Sequence, residues 1–107
     1  EKGLPWEKAK AFDHSAIIGD FLPKIIFPSL ENITFDLRKN NEIVQQGTTS
    51  MMLWNMDEIV SYVSQFFTLK KGDIIFTGTP AGVGKVSEND VLKGVIAGKE
   101  AFTIRVK

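Results

Sequence analysis

From Ile33 to Arg38 apolar and polar residues alternate strictly, with Ile33, Phe35 and Leu37 set against Thr34, Asp36 and Arg38. A period of two is what a half-buried strand uses and a helix cannot, because successive side chains leave a strand on opposite faces. A strand also needs a neighbour for its backbone. The stretch "KNNE" at 39–42 supplies a turn, since asparagine tolerates the left-handed region, and Ile43 to Gln46 returns as the partner strand. The C-terminal end predicts a second pair: "DVLKGVI", a turn at "AGKE", then "AFTIRVK" with Phe102, Ile104 and Val106 on one face. A further strand is expected over 73–77, where Ile74, Ile75 and Phe76 run together.

One stretch carries a helical period. Asn55 stands where it can cap a first turn, and Glu58, three residues on, can reach back to close a capping box. Ile59, Val60, Val63, Phe66 and Phe67 then form a single apolar stripe, so one main helix is predicted over about 56–68. Residues 1–29 carry Pro5, Pro23 and Pro28, which fix φ and remove donors, and they are expected to be irregular apart from one helical turn in "LPWEKAKAF". Strands outnumber helices, and the expected class is α+β, strand-dominated.

Composition sets the remaining bounds. The chain has 107 residues, the size of one small domain, and 43% are hydrophobic. Thirteen basic residues balance thirteen acidic ones, so no field arises that would recruit nucleic acid or an anionic membrane. Cysteine is absent, which removes disulfides and thiolate metal sites and suits a reducing cytoplasm. No apolar run approaches the roughly 20 residues of a membrane helix, and the charged opening "EKGLPWEKAK" does not read as a signal peptide. Without such a signal, the sequon at Asn32-Ile33-Thr34 reads as chance.

The chemistry concentrates in "GDIIFTGTPAGVGKV", residues 72–86. A Walker-type loop needs G-x-x-x-x-G-K-[ST], but aligning on Gly84-Lys85 puts Thr79 at the first glycine and Val86 at the hydroxyl. No register of Gly78, Gly82 and Gly84 satisfies G-x-G-x-x-G, and "VSENDVLKGVI" does not offer a helix N-terminus for a pyrophosphate. Two readings stay open. Thr77 and Thr79 either cap a wide turn, or their hydroxyls and the loop N–H groups meet the oxygens of a carboxylate or enolate.

"KGLPWEKAKAFD" (2–13), "VQQGTTSMM" (44–52), the helix followed by "LKKGD", and "FTGTPAGVG" (76–84) stand in the order and spacing of one family. Over nearly its whole length the chain resembles the C-terminal catalytic domain of the fumarylacetoacetate hydrolase superfamily. The nearest subgroup comprises the acylpyruvate hydrolases, oxaloacetate decarboxylases and hydroxyheptadienedioate isomerases. The resemblance implies a mixed β-sheet roll, a catabolic enzyme, a 2-oxo acid substrate, Mg2+ or Mn2+, and a homodimer. It matches Lys10 to an active-site lysine beside the metal and substrate oxygens, and Thr79, next to Gly78, to the threonine that binds the substrate carboxylate. Gln45, Gly47 and Thr49 match a Q-x-G-x-T element near the site or the dimer interface. His14 follows "FD" and is a pocket candidate, set against an ordinary structural histidine.

Such residue types suit a reaction that leaves an enolate, because an ammonium and hydroxyl donors stabilise its negative oxygen as it forms. The sequence departs from the family in one respect. The family's E-x-E metal ligands lie upstream of "LPW", and Glu1, Glu7, Asp13 and Asp20 form no such pair. The expectation is therefore no metal ligand set in this chain, and inactivity of residues 1–107 alone. The alternative is a non-catalytic assembly module that keeps the fold.

Overall fold

The computed structural model describes residues 16–107, and Lys10 and His14 lie outside that range. Four strands, β1 (Thr34–Lys39), β2 (Glu42–Thr48), β3 (Val91–Ile96) and β4 (Lys99–Arg105), form one sheet in the order β2-β1-β3-β4. Among the described residues one α-helix, α1 (Met56–Val63), lies between the hairpins in sequence. The α+β, strand-dominated class is therefore observed. All pairings among the described residues are antiparallel.

Both hairpins close through two-residue turns that require left-handed backbone. Asn40 (φ 53°) and Asn41 (φ 72°) link β1 to β2, and Ala97 (φ 52°) with Gly98 (φ 78°) links β3 to β4. Two positive φ values mark the turn whose twist matches that of the flanking strands. The second turn is tighter than the expected "AGKE", because Lys99 and Glu100 already pair with Ile96 and Val95.

Two aromatic residues face glycines across the sheet. Phe35 pairs with Gly47 on β2, and Phe102 on β4 pairs with Gly94 on β3. The Phe102 ring occupies the space that a side chain at Gly94 would need. At Gly47 a Cβ would fall 2.9 Å from Cζ of Phe35. Each ring thus covers bare backbone on its neighbouring strand, which couples the two glycines to the packing. Ile33 and Val95 are the buried apolar residues among those described, each 8% exposed.

Asn40 also ties one hairpin to the other. Its side chain accepts from the Val91 N–H (3.0 Å) and donates to the Asp90 carboxylate (2.9 Å), while its own N–H donates to the Val91 carbonyl (2.9 Å). Asp90 in turn accepts from the Ser87 N–H (2.8 Å).

Two expectations are corrected. Residues 73–77 form no strand; after a turn in which Asp73 and Lys70 exchange hydrogen bonds, the chain runs without a ladder. An apolar run predicts extended backbone, but a strand exists only where a neighbour pairs with it, and among the described residues no strand pairs with 73–77. The helix is also shorter than 56–68. The Asn55–Glu58 capping box forms as expected, with both bonds at 2.8 Å. At the other end the Gln65 and Phe66 N–H groups bond three residues back, to Tyr62 and Val63, so the last turn tightens and the helix stops. The Ser64 hydroxyl donates to the Ser61 carbonyl (2.7 Å), competing locally with helical bonding. Of the apolar stripe only Ile59 and Val63 are half-buried, while Phe66 and Phe67 stand 64% and 68% exposed. Trp54, Tyr62 and Phe66 instead stack edge to face along the helix, at centroid spacings of 5.0 and 5.2 Å.

Gly94→Val is expected to destabilise the protein by about 1–3 kcal/mol, because the Phe102 ring must leave its place; urea unfolding measures it, and an unchanged midpoint would refute the packing. A second expectation concerns acid. Hydrogen bonds from the Asn40 side chain, and after them the Ser87 N–H, hold the Asp90 carboxyl below its ordinary value. A lowered value means the contribution is complete above about pH 4 and disappears as pH falls through it. The stability gap between the parent and Asp90→Asn is therefore expected to hold between about pH 7 and about pH 5 and to shrink below. A gap that grows on acidification would contradict it.

Candidate functional site

Among the described residues β2 is an edge strand, and its irregularity builds the site. Leu37 pairs with Gln45 but Arg38 pairs with Ile43, so Val44 is the extra residue of a β-bulge. A bulge bends the strand and re-aims its side chains. Two consequences follow along the edge. The Val44 carbonyl meets the loop at Gly82, where φ is +110° and a Cβ would collide with that oxygen. Only glycine permits both the backbone conformation and the approach.

The second consequence is at Gln45, half-buried on the bulged strand. Its amide nitrogen lies 2.7 Å from the Thr79 hydroxyl and 2.9 Å from the Pro80 carbonyl. Thus a side chain 34 residues earlier in sequence pins the "TGTP" loop. Pro80 also sits against Gly47, where a Cβ would fall 3.5 Å from the proline Cβ. The far end of the loop is tied by Lys39, whose ammonium donates to the Lys85 carbonyl at 3.3 Å. No helix follows the loop; the next regular element is β3, so there is no helix N-terminus to hold a phosphate.

At the start of the anchored stretch Gly78 (φ +101°) and Thr79 are exposed, and Gly78 has open space where a side chain would be. Among the described residues the Gly78 and Thr79 N–H groups donate no hydrogen bond. A hydroxyl and two N–H groups on a pinned, exposed loop form a donor set suited to the oxygens of an anion.

The structure brings Gln45, Gly47 and Thr79 together and leaves Thr49 apart. The Thr49 hydroxyl donates to the Leu30 carbonyl (2.7 Å) and accepts from the Ile33 N–H (2.9 Å), stapling the 30–32 turn to the end of β2. It borders a hollow of about 370 Å3 with Ser29, Met52 and Asn55. A separate hollow of about 530 Å3 is lined by Thr34, Phe35, Asp36, Gln46, Gly47 and Thr48, among others, so Gly47 borders it as well as Pro80. Neither hollow contains Thr79. Sequence reasoning missed the Val44 bulge and the Pro80 carbonyl. Gly82 was the available signal, a glycine whose reason is a strand edge beside it.

Among the described residues no three His, Asp or Glu stand together as a metal ligand set. The described part of the chain therefore does not fit a divalent-cation site by itself. No helix there is long and apolar enough to cross a membrane.

Residues 1–106 match the family model for the fumarylacetoacetate (FAA) hydrolase C-terminal region. Over 107 residues the chain is 44% identical to the mitochondrial oxaloacetate tautomerase FAHD1 of Homo sapiens, covering all of this chain and 48% of that protein. It is 45% identical over 105 residues to the oxaloacetate tautomerase YcgM of Escherichia coli, covering 97% of this chain and 48% of that one. The fold superposes on fumarylpyruvate hydrolase from Pseudomonas aeruginosa, solved in complex with Mn2+ and pyruvate, with a TM-score of 0.88 and 39% identity. That likeness covers 98% of this chain and 45% of the other. The chain spans about half the length of the relatives it matches. With its "TGTP" loop pinned to a bulged edge strand and its match running from end to end, the chain belongs to the fumarylacetoacetate hydrolase family.

Proposed function

We propose that the complete gene product interconverts the keto and enol forms of oxaloacetate, with the 77–82 loop binding a substrate carboxylate. The observation that carries this reading is the pinned Thr79 hydroxyl beside the exposed Gly78 and Thr79 N–H groups. The names of the 44–45% identical relatives support oxaloacetate as the substrate. Cleavage of an acylpyruvate is a second reading, supported by the likeness to fumarylpyruvate hydrolase.

Tautomerisation breaks the C3–H bond of the keto acid. A base takes that proton, and the C–H electron pair becomes the C2–C3 double bond. The C2=O π pair moves onto the C2 oxygen as negative charge, and protonation of that oxygen gives the enol. Carbon–carbon cleavage of an acylpyruvate also leaves an enolate. In both cases the protein must neutralise an oxygen as its charge develops, and fixed donors do this without reorganising. Thr79 and the loop amides would hold the carboxylate and so orient the adjacent carbonyl, while the Lys10 ammonium would face the developing enolate oxygen. Lys10, and with it His14 as a pocket residue, belongs to this reading and lies outside the described residues. Mg2+ or Mn2+, if used here as Mn2+ accompanies the Pseudomonas enzyme, would be held by residues outside 16–107. A homodimer is part of the reading; the exposed Leu53, Phe66 and Phe67 support an apolar surface that is covered in the complete protein.

In the complete gene product, Lys10→Ala is expected to lower kcat on enol-oxaloacetate by about 100- to 1,000-fold with the fold intact by circular dichroism. Wild-type turnover in that variant would overturn the assigned role. Thr79→Val is expected to raise KM about tenfold or more and to leave kcat nearly unchanged, as for a group that binds ground and transition state alike. An unaltered KM would remove the carboxylate site from the loop.

A further inference from the structure

We propose that Gln45 is a positioning residue, using both hydrogens of its amide to aim the proton of the Thr79 hydroxyl at the substrate. The proposal rests on the reading that Thr79 binds substrate. Its geometry comes from Pro80. A peptide carbonyl only accepts, so the Gln45 atom 2.9 Å from the Pro80 oxygen must be the NH2 nitrogen. The same nitrogen lies 2.7 Å from the Thr79 Oγ1. An amide nitrogen has two hydrogens and accepts none, so one goes to Pro80 and the other to Thr79. The Thr79 oxygen is thereby the acceptor in its bond with Gln45. Its own hydrogen must point to something else, and Thr79 is exposed on the loop where an anion would sit.

This arrangement does more than hold the loop. A free threonine hydroxyl rotates among several orientations, and binding an anion would have to select one. Donation from Gln45 makes that selection beforehand and polarises the O–H bond, which strengthens the hydrogen bond it gives. The bulge at Val44 is what allows it. In a strand, removing one residue turns every following side chain to the other face, so a regular β2 could not present both Gln45 to the loop and the Val44 carbonyl to Gly82.

The test is a double-mutant cycle in the complete gene product, read by steady-state kinetics on enol-oxaloacetate. Gln45→Met keeps the length and removes both donors; Gln45→Glu keeps the shape and turns the Thr79 partner into an acceptor that captures its proton. Both variants are expected to raise KM about 10- to 100-fold, Gln45→Glu the more, with kcat within about threefold of the parent. In a Thr79→Val background Gln45→Met should raise KM less than about threefold further, because there is no proton left to aim. A merely structural tether would lower kcat and the thermal midpoint together, and that result would overturn the proposal. So would an equal KM effect of Gln45→Met in both backgrounds, which leaves the Thr79 carboxylate site standing. If Thr79→Val itself leaves KM unchanged, the functional reading falls first and this proposal falls with it. Should a Gln45 variant unfold, the side-chain amide signals of Gln45 decide. In Thr79→Ser both NH2 protons should remain shifted and protected, and in Thr79→Val one should be released; release of neither would refute the bond.

Discussion

The ladder between β1 and β3 is what makes one sheet out of two hairpins. Each hairpin is local, closed by two residues in the left-handed region, and could form without the other. Their union requires Phe35 to Lys39 to find Leu92 to Ile96, more than fifty residues away. Closing so long a loop costs entropy that local contacts do not repay. Asn40 offsets part of it at one end, bonding Val91 and Asp90 from the tip of the first hairpin. Once β1 is flanked on both sides, β2 is left as an edge, and an edge is the place where a loop can be docked by its side chains.

The candidate site is a product of that edge. A central strand has no free side for a loop to lie along. β2 adds a bulge at Val44, and Gly82 accepts the displaced carbonyl while Gln45 reaches Thr79 and Pro80. The donor set on the loop is thus held by one half-buried amide and one close backbone approach. In the proposed function these groups serve both ends, since the residues that fasten the loop would also orient its donors.

The same geometry explains the surfaces. Among the described residues, which form one sheet and one short α-helix, few apolar side chains are covered, and Leu53 is 99% exposed. A chain spanning about half the length of its relatives has only part of their surface to bury against. The aromatic ladder of Trp54, Tyr62 and Phe66 is organised, yet all three rings stay about half or more exposed.

Much was legible in the residues themselves because it is short-range. The alternation around Phe35, the Asn40-Asn41 turn, the Asn55–Glu58 capping box and the Phe102, Ile104, Val106 face each depend on neighbours within a few positions, where backbone sterics and periodicity decide. The "TGTP" loop and Gln45 were legible as candidates, through the resemblance of their stretches to a family. Their joining was not. Tertiary structure alone decided that Ile74 to Phe76 would find no ladder, that Thr49 would serve as a staple, and that Val44 would bulge to bring Gln45 onto Thr79. Each of these depends on which partner stands across a gap of many residues, and pairing energies of that kind leave no period in a sequence.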